Sequence, residues 1–288
     1  MMRTADNWTD YELIDCSSGE RLERWGDHIL IRPDPQVIWQ TPKNHPAWRK
    51  ADARYIRSNT GGGKWETYRP LPDVWSIKYA DLVFNIKPMG FKHTGIFPEQ
   101  AVNWDMTADL IKKAGRPLKM LNLFAYTGAA TVSALKAGAA VTHVDASKGM
   151  VQWAKENAAS SGVAAKNVRW LVDDCIKFVE REIRRENKYD IIIMDPPSYG
   201  RGPGGEVWKL ETEVYKLCER CSLLLGENAE LFLVNSYTTG LSPSVMAYIL
   251  GSVMNSKNGK VTAGEIGLRA SSSGLVLPSG ASAFWTKQ

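Results

Sequence analysis

The chain has 288 residues, and its hydrophobic fraction of 44% and charged fraction of 23% are ordinary for a globular protein with a sizeable core. No apolar run approaches the roughly 20 residues of a membrane-spanning helix, so contact with a membrane is not expected. The start of the chain is polar and acidic where a secretory signal has an apolar segment, which predicts a cytoplasmic protein with reduced cysteines.

The first part of the chain has the pattern of a small β unit. Residues 11–39 contain short strand-like runs separated by the turn sequences CSSGE, RWGD and RPDP. A loop rich in Pro, Gly and Asn is expected from Thr41 to Asp73, with a mobile or tightly turning tip at Gly61 to Gly63. A hairpin is plausible in WSIKYADLVFNIKP. We therefore expect a β-rich domain at residues 1–74 and a second domain at residues 75–288.

Basic and aromatic residues are interleaved in the expected loop. Lys43 to Arg69 carries seven bases and two acids, and the difference, 7 − 2 = +5, equals the net charge of the whole chain. The bases are Lys43, Arg49, Lys50, Arg54, Arg57, Lys64 and Arg69, and the aromatics are Trp48, Tyr55, Trp65 and Tyr68. Lys and Arg side chains neutralise phosphates, and aromatic rings stack on unpaired nucleobases, so the stretch favours RNA binding. The alternative is a solvated face above packing aromatics.

Strands and helices alternate in the second part of the chain. In order, the predicted segments are LKMLNLF, AATVSALKAG, AVTHVDA, SKGMVQWAKENAASSG, VRWLVDD, CIKFVEREIRREN, YDIIIMDPP, EVYKLCERCSLLLG, AELFLVNS, SVMAYILGSVM, GKVTAGEIGLR and ASAFWTKQ. Ser147 is placed to cap one helix, and Gly138 and Gly162 are placed to end helices. Continuous apolar strands with helices between them predict an α/β fold, a Rossmann-like doubly wound sheet covered on both faces.

The cysteines do not form a recognisable metal site. Cys218 and Cys221 lie in a C-x-x-C, but both belong to the apolar face of one predicted helix, and no second Cys or His pair completes a zinc set. They are interpreted as core thiols, and no bound metal is expected.

An acid follows each of three successive predicted strands. Asp145 ends the second strand, Asp173 and Asp174 the third, and Asp195 the fourth. In a doubly wound sheet these ends line the ligand crevice. Neither G-x-G-x-x-G nor a P-loop is present, which disfavours a dinucleotide or ATP. The pattern describes a slot for a nucleoside, and S-adenosylmethionine, a nucleoside carrying a sulfonium, fits it.

The order NLFAYTGAAT, VDAS, VDDCIKFV, IIIMDPPSYG resembles the class I S-adenosylmethionine-dependent methyltransferases, and within them the bacterial large-subunit rRNA cytosine-C5 methyltransferases. FKHTGIFPEQ, residues 91–100, is similar to the segment that closes over the cofactor in that group. The resemblance covers about residues 75–240 and implies a mixed seven-stranded methyltransferase sheet.

The resemblance also implies a set of site residues. Asp145 would bind the ribose, Asp174 with Cys175 the adenine, and Asp195 with Pro196 the edge that faces the substrate. The cofactor-binding residues expected on this basis are Phe97, Gln100, Phe124, Ala125, Tyr126, Thr127, Gly128, Asp145, Ala146, Ser147, Asp173, Asp174, Cys175 and Asp195. Of these, Phe124, Tyr126, Thr127 and Gly128 would line the methionine part.

The sequence departs from the cytosine-C5 group at the nucleophile. That group uses a cysteine after the fifth strand, and here the matching stretch LVNSYTTG has Tyr237. DPPSY is similar instead to the [D/N]-P-P-[Y/F] loop of amino-methyltransferases, which predicts direct in-line transfer with Asp195, Pro196, Pro197 and Tyr199 as the catalytic residues. The alternative is a rigid corner that only ends the strand. The glycine-rich residues 200–211 are interpreted as a lid, with a flexible connector as the alternative.

The sequence therefore predicts an S-adenosylmethionine-dependent methyltransferase that acts on RNA, with rRNA as the leading substrate. Two alternatives stay open: a methyltransferase of a protein or small molecule, and a non-catalytic RNA-binding protein that keeps the fold. The sequence does not indicate the oligomeric state.

Overall fold

The computed structural model describes residues 2–58, 62–201, 207–238 and 240–288. The chain forms two compact units. The large unit comprises Met1–Arg3, Val102–Ile266 and Gly280–Gln288, and the small unit comprises Thr4–Ala101 and Gly267–Ser279. The boundary expected after residue 74 falls inside the small unit, so the division into domains 1–74 and 75–288 stays a prediction.

The elements of the described residues are numbered in chain order. The strands are β1 (Arg3–Thr4), β2 (Tyr11–Ser17), β3 (Glu20–Trp25), β4 (His28–Pro33), β5 (Ala53–Arg57), β6 (Gly63–Thr67), β7 (Trp75–Tyr79), β8 (Leu82–Ile86), β9 (Lys119–Leu123), β10 (Ala140–Asp145), β11 (Val168–Val172), β12 (Ile191–Met194), β13 (Tyr199–Arg201), β14 (Val207–Lys209), β15 (Leu231–Ser236), β16 (Gly259–Arg269) and β17 (Val276–Lys287). The helices are α1 (Ala101–Lys113), α2 (Ala129–Ala137), α3 (Lys148–Ser160), α4 (Cys175–Arg184), α5 (Leu210–Ser222) and α6 (Pro243–Val253), with 3-10 helices at Pro46–Arg49 and Pro98–Gln100. The alternation from β9 onward confirms the predicted α/β pattern.

One mixed sheet organises the second part of the chain. Its strand order is β1, β16, β17, β15, β12, β9, β10, β11. The central strands β15, β12, β9, β10 and β11 are parallel, and β17 is antiparallel to β15. The sheet is mixed and doubly wound as predicted, with the two-residue β1 added to the seven expected strands. The order reverses at β9 and β12, which places the expected ligand crevice beyond their carboxyl ends.

Local signals for the ends of helices are confirmed. Ser147 caps α3, because its hydroxyl accepts from the Met150 N–H at 3.4 Å. Gly138 ends α2 with a φ of 106°, and Gly162 follows α3 with a φ of 69°. Both glycines take the left-handed conformation that ends a helix at little cost.

The two cysteines of the C-x-x-C are core residues, as predicted. Cys218 and Cys221 lie on α5, in an apolar cluster with side chains of α4, α6 and the central strands. All four cysteines of the chain are buried free thiols.

Two parts of the chain differ from the sequence prediction. Strands β5 and β6 lie in the segment expected to be a loop and form an antiparallel hairpin. Residues 59–61 lie outside the described residues, and they include Gly61, the first residue of the expected tip. Helix α1 was not predicted, since it directly follows the 3-10 helix Pro98–Gln100 and no capping residue marks its start.

The strands of the small unit run in the order β2, β3, β4, β5, β6, and β7 pairs with β8 in the predicted hairpin.

A buried ion pair joins two neighbouring strands of this sheet, β3 and β4. Glu23 on β3 is fully buried and accepts from two nitrogens of Arg32 at 2.6 and 2.7 Å and from the Tyr11 hydroxyl at 2.8 Å. Burial pushes the pKa of Glu23 up, but Arg32, Arg21 and the Tyr11 hydroxyl together outweigh burial, and the net pKa is lowered.

Two kinds of feature are absent from the part of the chain that the structure describes. None of its helices is long and apolar enough to cross a membrane. The same residues include no group of three or more His, Cys, Asp or Glu side chains arranged to hold a metal ion.

We expect Glu23→Gln to lower the free energy of unfolding by about 3–5 kcal/mol, because it leaves the Arg32 charge buried without its partner. Glu12→Gln is the matched control in the same unit: Glu12 pairs with Arg24 at 3.1 Å near the surface and should cost under about 1 kcal/mol. Urea unfolding followed by tryptophan fluorescence measures both. Equal losses in the two variants would contradict the prediction.

Candidate functional site

The loop after β9 has a strained backbone. Phe124 and Tyr126 have φ values of 54° and 49°, a conformation that non-glycine residues rarely adopt, and Gly128 has a φ of 81°. Hydrogen bonds hold the loop: the Ala125 N–H donates to the Val144 carbonyl at 3.1 Å, and the Gly128 N–H donates to the Ala125 carbonyl at 3.0 Å. Such strain costs on the order of 1–3 kcal/mol per residue and concentrates at functional sites.

Gly128 has a packing reason that the sequence did not reveal. A Cβ at this position would lie 2.7 Å from the Cβ of Ala154 on α3, so only glycine lets the loop approach that helix. Asn157 on α3 also donates to the Thr127 carbonyl at 2.8 Å. Close packing of the loop against α3 thus explains the glycine. Contact of Gly128 with a ligand stays a prediction.

The Asp145 carboxylate lies at the end of β10 and is held by backbone donors. One oxygen accepts from the Tyr126 N–H and the other from the Ser147 N–H, both at 2.8 Å. Burial raises the pKa of Asp145, and the two N–H groups oppose the rise without cancelling it. An ionised carboxylate has about four acceptor positions, so two remain for a ligand. These two acceptor positions fit a ribose, whose two hydroxyls can both donate.

The predicted adenine residues have structural partners of their own. Asp174 caps α4 by accepting from the Lys177 N–H at 2.9 Å, and Asp173 forms an ion pair with Arg181. The Cys175 sulfur is buried and accepts from the Phe124 N–H at 3.2 Å. Their contact with adenine stays a prediction, as does that of Ala146.

The DPPSY loop leads from β12 into a short hairpin. Asp195 is half-buried, Pro196 is buried and Tyr199 is 52% exposed. Tyr199 begins β13, which pairs with β14, and the indole N–H of Trp208 on β14 donates to the Pro197 carbonyl at 2.7 Å. The Trp208 ring centre lies 6.2 Å from that of Phe124.

Trp208 therefore joins the loops after β9 and β12, a role the sequence did not assign to it. The only signal was a tryptophan within a glycine-rich segment. Trp208 was expected in a lid; residues 202–206 of that segment lie outside the described residues, so the lid stays a prediction. A second link was missed: the Thr238 hydroxyl, beyond β15, donates to the Ser198 hydroxyl at 2.7 Å.

The match of Tyr237 to the cysteine position of the cytosine-C5 group stays a prediction. The Tyr237 ring packs against Gly280, where an added Cβ would lie 2.8 Å from the ring. All four thiols are buried elsewhere, and burial raises their pKa values, to about 11 for Cys16 and to about 12 for Cys218. No thiol in the chain is therefore poised to become a thiolate near neutral pH.

Phe97 and Gln100 belong to the small unit. Gln100 is buried in the 3-10 helix Pro98–Gln100, and Phe97 lies beside His93, with ring centres 5.3 Å apart. Glu99 between them is buried, and burial raises its pKa against the opposing charge of Arg21. The predicted closure of this segment over the cofactor stays a prediction.

The fold and the rim of the sheet define a Rossmann-like nucleoside-binding protein of the methyltransferase type. Residues 41–241 match the family model of the S-adenosylmethionine-dependent methyltransferases, and the chain belongs to that family. A solved S-adenosylmethionine-dependent methyltransferase from Agrobacterium tumefaciens is 35% identical over all of this chain and 94% of its own, with a TM-score of 0.95.

Curated relatives match over a shorter part of this chain. The ribosomal RNA large subunit methyltransferase K/L of Shewanella frigidimarina is 32% identical over 53% of this chain and 21% of its own length. The protein of the same name from Colwellia psychrerythraea is 25% identical over 74% of this chain and 27% of its own. The chain thus spans about a fifth to a quarter of these relatives.

The cofactor of the family is S-adenosylmethionine, as predicted, and the clamped Asp145 carboxylate fits its ribose. The strained loop at Phe124 to Gly128 begins one strand away, after β9, where the Rossmann arrangement brings the ligand close to the backbone. The individual contacts of the predicted site residues with the cofactor stay predictions.

Asp145→Asn should weaken S-adenosylmethionine binding by about 10- to 100-fold, because it removes the charge that strengthens hydrogen bonds to the ribose hydroxyls. Isothermal titration calorimetry measures the change. Asp190→Asn is the control, since Asp190 accepts from Arg116 at 2.8 Å just before β12, at the opposite end of the sheet. Unchanged affinity in Asp145→Asn would remove Asp145 from the binding site.

Proposed function

We propose that the protein transfers the methyl group of S-adenosylmethionine directly to a nitrogen or oxygen of RNA, with ribosomal RNA as the first substrate to test. The cofactor supplies the activated methyl group. The cytoplasm is the proposed location, and the smaller unit is proposed to contribute to RNA binding.

The arrangement at the ends of β9 and β12 carries this proposal. Asp195 follows β12, the strand next to β9, and Tyr199 is exposed four residues later. We assign Asp195 to accept a hydrogen bond from the acceptor group and Tyr199 to stack on its base. Pro196 and Pro197 fix the corner, and Trp208 anchors the Pro197 carbonyl. Holding the acceptor in line with the methyl group contributes most of the barrier reduction in such a transfer.

The state of the cysteines supports a direct route. Carbon methylation of cytosine requires a thiolate to add to the ring first. Every thiol here is buried with a raised pKa, and Tyr237 stands at the expected nucleophile position. A nitrogen or oxygen acceptor needs no such addition.

Charge and relatives support RNA as the substrate. Exposed bases of the stretch from Lys43 to Arg69 are Arg49, Lys50, Arg57, Lys64 and Arg69. Only part of the predicted aromatic surface is available, because Trp48 donates to Asp15 and Trp65 to the Met89 carbonyl, both at 2.8 Å, and Tyr55 is 4% exposed. Among these aromatics Tyr68 is 55% exposed. Phosphate contacts by the bases therefore contribute more than stacking in this stretch. The two curated relatives reported above carry the name ribosomal RNA large subunit methyltransferase K/L.

The test of the function is incubation of total RNA from a strain that lacks the gene with purified protein and methyl-labelled S-adenosylmethionine. Nucleoside mass spectrometry should find one labelled N- or O-methylated nucleoside in ribosomal RNA. Asp145→Asn is the negative control and should give little product.

Other outcomes would contradict the proposal. Formation of 5-methylcytidine that stops when one cysteine is replaced by alanine would establish the thiol route. Label in a protein or small molecule, with none in RNA, would establish the second kind of substrate. RNA binding that persists in Asp145→Asn, with no transfer by the unaltered protein, would indicate a non-catalytic binder.

Tyr199→Ala should lower kcat/KM for the RNA substrate by about 10- to 100-fold, since stacking contributes about 1–3 kcal/mol per base. Tyr199→Phe keeps the ring and should retain most of the activity. Tyr215→Ala is the matched control, because Tyr215 on α5 is 46% exposed. Steady-state kinetics measure all three variants, with cofactor affinity unchanged. Equal activity in Tyr199→Ala and Tyr215→Ala would exclude stacking.

A further inference from the structure

The small unit has a cavity of about 780 Å³ that plays no part in the site described above. It lies between the chain around residues 15–16, the segment 39–45 and the segment 272–278. The residues that line it are Asp15, Cys16, Trp39, Thr41, Pro42, Asn44, His45, Ser272, Ser273, Leu275, Val276, Leu277 and Pro278. Its volume is in the range of pockets that bind small organic groups.

The walls combine a fixed aromatic ring with apolar side chains. The indole N–H of Trp39 donates to the Cys16 carbonyl at 2.9 Å, which fixes the edge of the ring. Leu275 is 73% exposed at the cavity, and Leu277 is buried. An apolar wall with an anchored tryptophan accepts a flat ring with little loss of conformational entropy.

The polar groups of the cavity match the edge of a nucleobase. The Asp15 carboxylate accepts from the Cys16 N–H at 2.9 Å and from the Trp48 indole N–H at 2.8 Å, and keeps acceptor positions free. His45 accepts from the Ala47 N–H through Nδ1 at 3.2 Å, so its neutral ring carries the proton on Nε2 as a donor. Asn44 adds an exposed amide that can both donate and accept.

Positive charge lies beside these groups along the chain. His45 caps the 3-10 helix Pro46–Arg49, which ends at the exposed Arg49 and is followed by the exposed Lys50. Lys43, in the segment that lines the cavity, pairs with Glu20 at 2.6 Å and lies over the Trp48 ring. Arg49 and Lys50 are thus exposed bases that follow the cavity-lining His45 closely in the chain, and bases of this kind bind phosphates.

We propose that this cavity binds one unpaired nucleobase of the RNA substrate, away from the base that is methylated. Trp39 provides the stacking wall, Asp15, Asn44 and His45 bind the base edge, and Arg49 and Lys50 bind the neighbouring phosphates. The inference rests on the proposed function, since it takes RNA as the substrate.

The test compares a single-stranded RNA 12-mer with a 12-mer of abasic ribose phosphates by fluorescence anisotropy at several salt concentrations. Ser272→Trp fills the cavity from an exposed position, and Ser252→Trp makes the same change on the exposed face of α6. Ser272→Trp should weaken binding of the base-containing RNA by about 5- to 100-fold and leave the salt slope unchanged. Ser252→Trp should bind as the unaltered protein does.

Two further variants distinguish binding of the nucleobase from binding of the phosphates. Asn44→Ala, which adds no bulk, should weaken binding of the base-containing RNA by a smaller factor and leave binding of the abasic chain unchanged. Lys50→Gln should weaken both ligands and reduce the salt slope by about 0.7 for the one lost phosphate contact.

The outcomes distinguish this inference from the proposed function. If the Ser272→Trp and Asn44→Ala proteins bind RNA as tightly as the unaltered protein does, the cavity does not bind a nucleobase. This conclusion holds even if methyl transfer to RNA is observed. Absence of label in any RNA with the unaltered protein overturns the proposed function, whatever the cavity variants do. A cavity that instead takes an apolar peptide would also leave RNA affinity unchanged in Ser272→Trp and so counts against the inference.

Discussion

A carboxylate held by two backbone N–H groups is the interaction on which the rim of the large sheet depends. Asp145 accepts from Tyr126 and Ser147, so the acid of one strand fixes the loop after the neighbouring strand and the start of α3. Tyr126 makes this hydrogen bond in a left-handed conformation, a strained state that the bond helps to maintain. Hydrogen bonds within the protein itself therefore hold the predicted nucleoside-binding surface in place.

The predicted substrate side of the rim is built by different contacts. Trp208 on β14 donates to the Pro197 carbonyl and lies near Phe124, so one side chain joins the predicted cofactor loop to the predicted acceptor loop. All four thiols are buried, including that of Cys175, whose sulfur accepts from the Phe124 N–H, and burial raises their pKa values. Such a site suits an acceptor that needs no covalent bond to the protein, because the proposed role of the chain is to orient the acceptor and not to supply a nucleophile.

The small unit uses its charges in two ways. Glu23 and Arg32 pair in the interior, where each charge needs the other. Arg49 and Lys50 are exposed and follow the segment that lines the cavity proposed to bind a nucleobase. The aromatic side chains that the sequence places among the Lys and Arg residues mainly pack the unit, so the proposed RNA-binding surface is smaller than the composition indicates.

The sequence by itself determined the alternation of strands and helices, the caps at Ser147 and Gly138, the core position of Cys218 and Cys221, and the family. These follow from periodicity and from contacts between near neighbours, which a sequence records directly. Only the tertiary structure decided that Gly128 packs on Ala154, that Trp208 joins two loops, and that Trp48 and Trp65 are hydrogen-bonded inside the unit. Each of these depends on residues far apart in the chain, and local patterns do not record which distant groups meet.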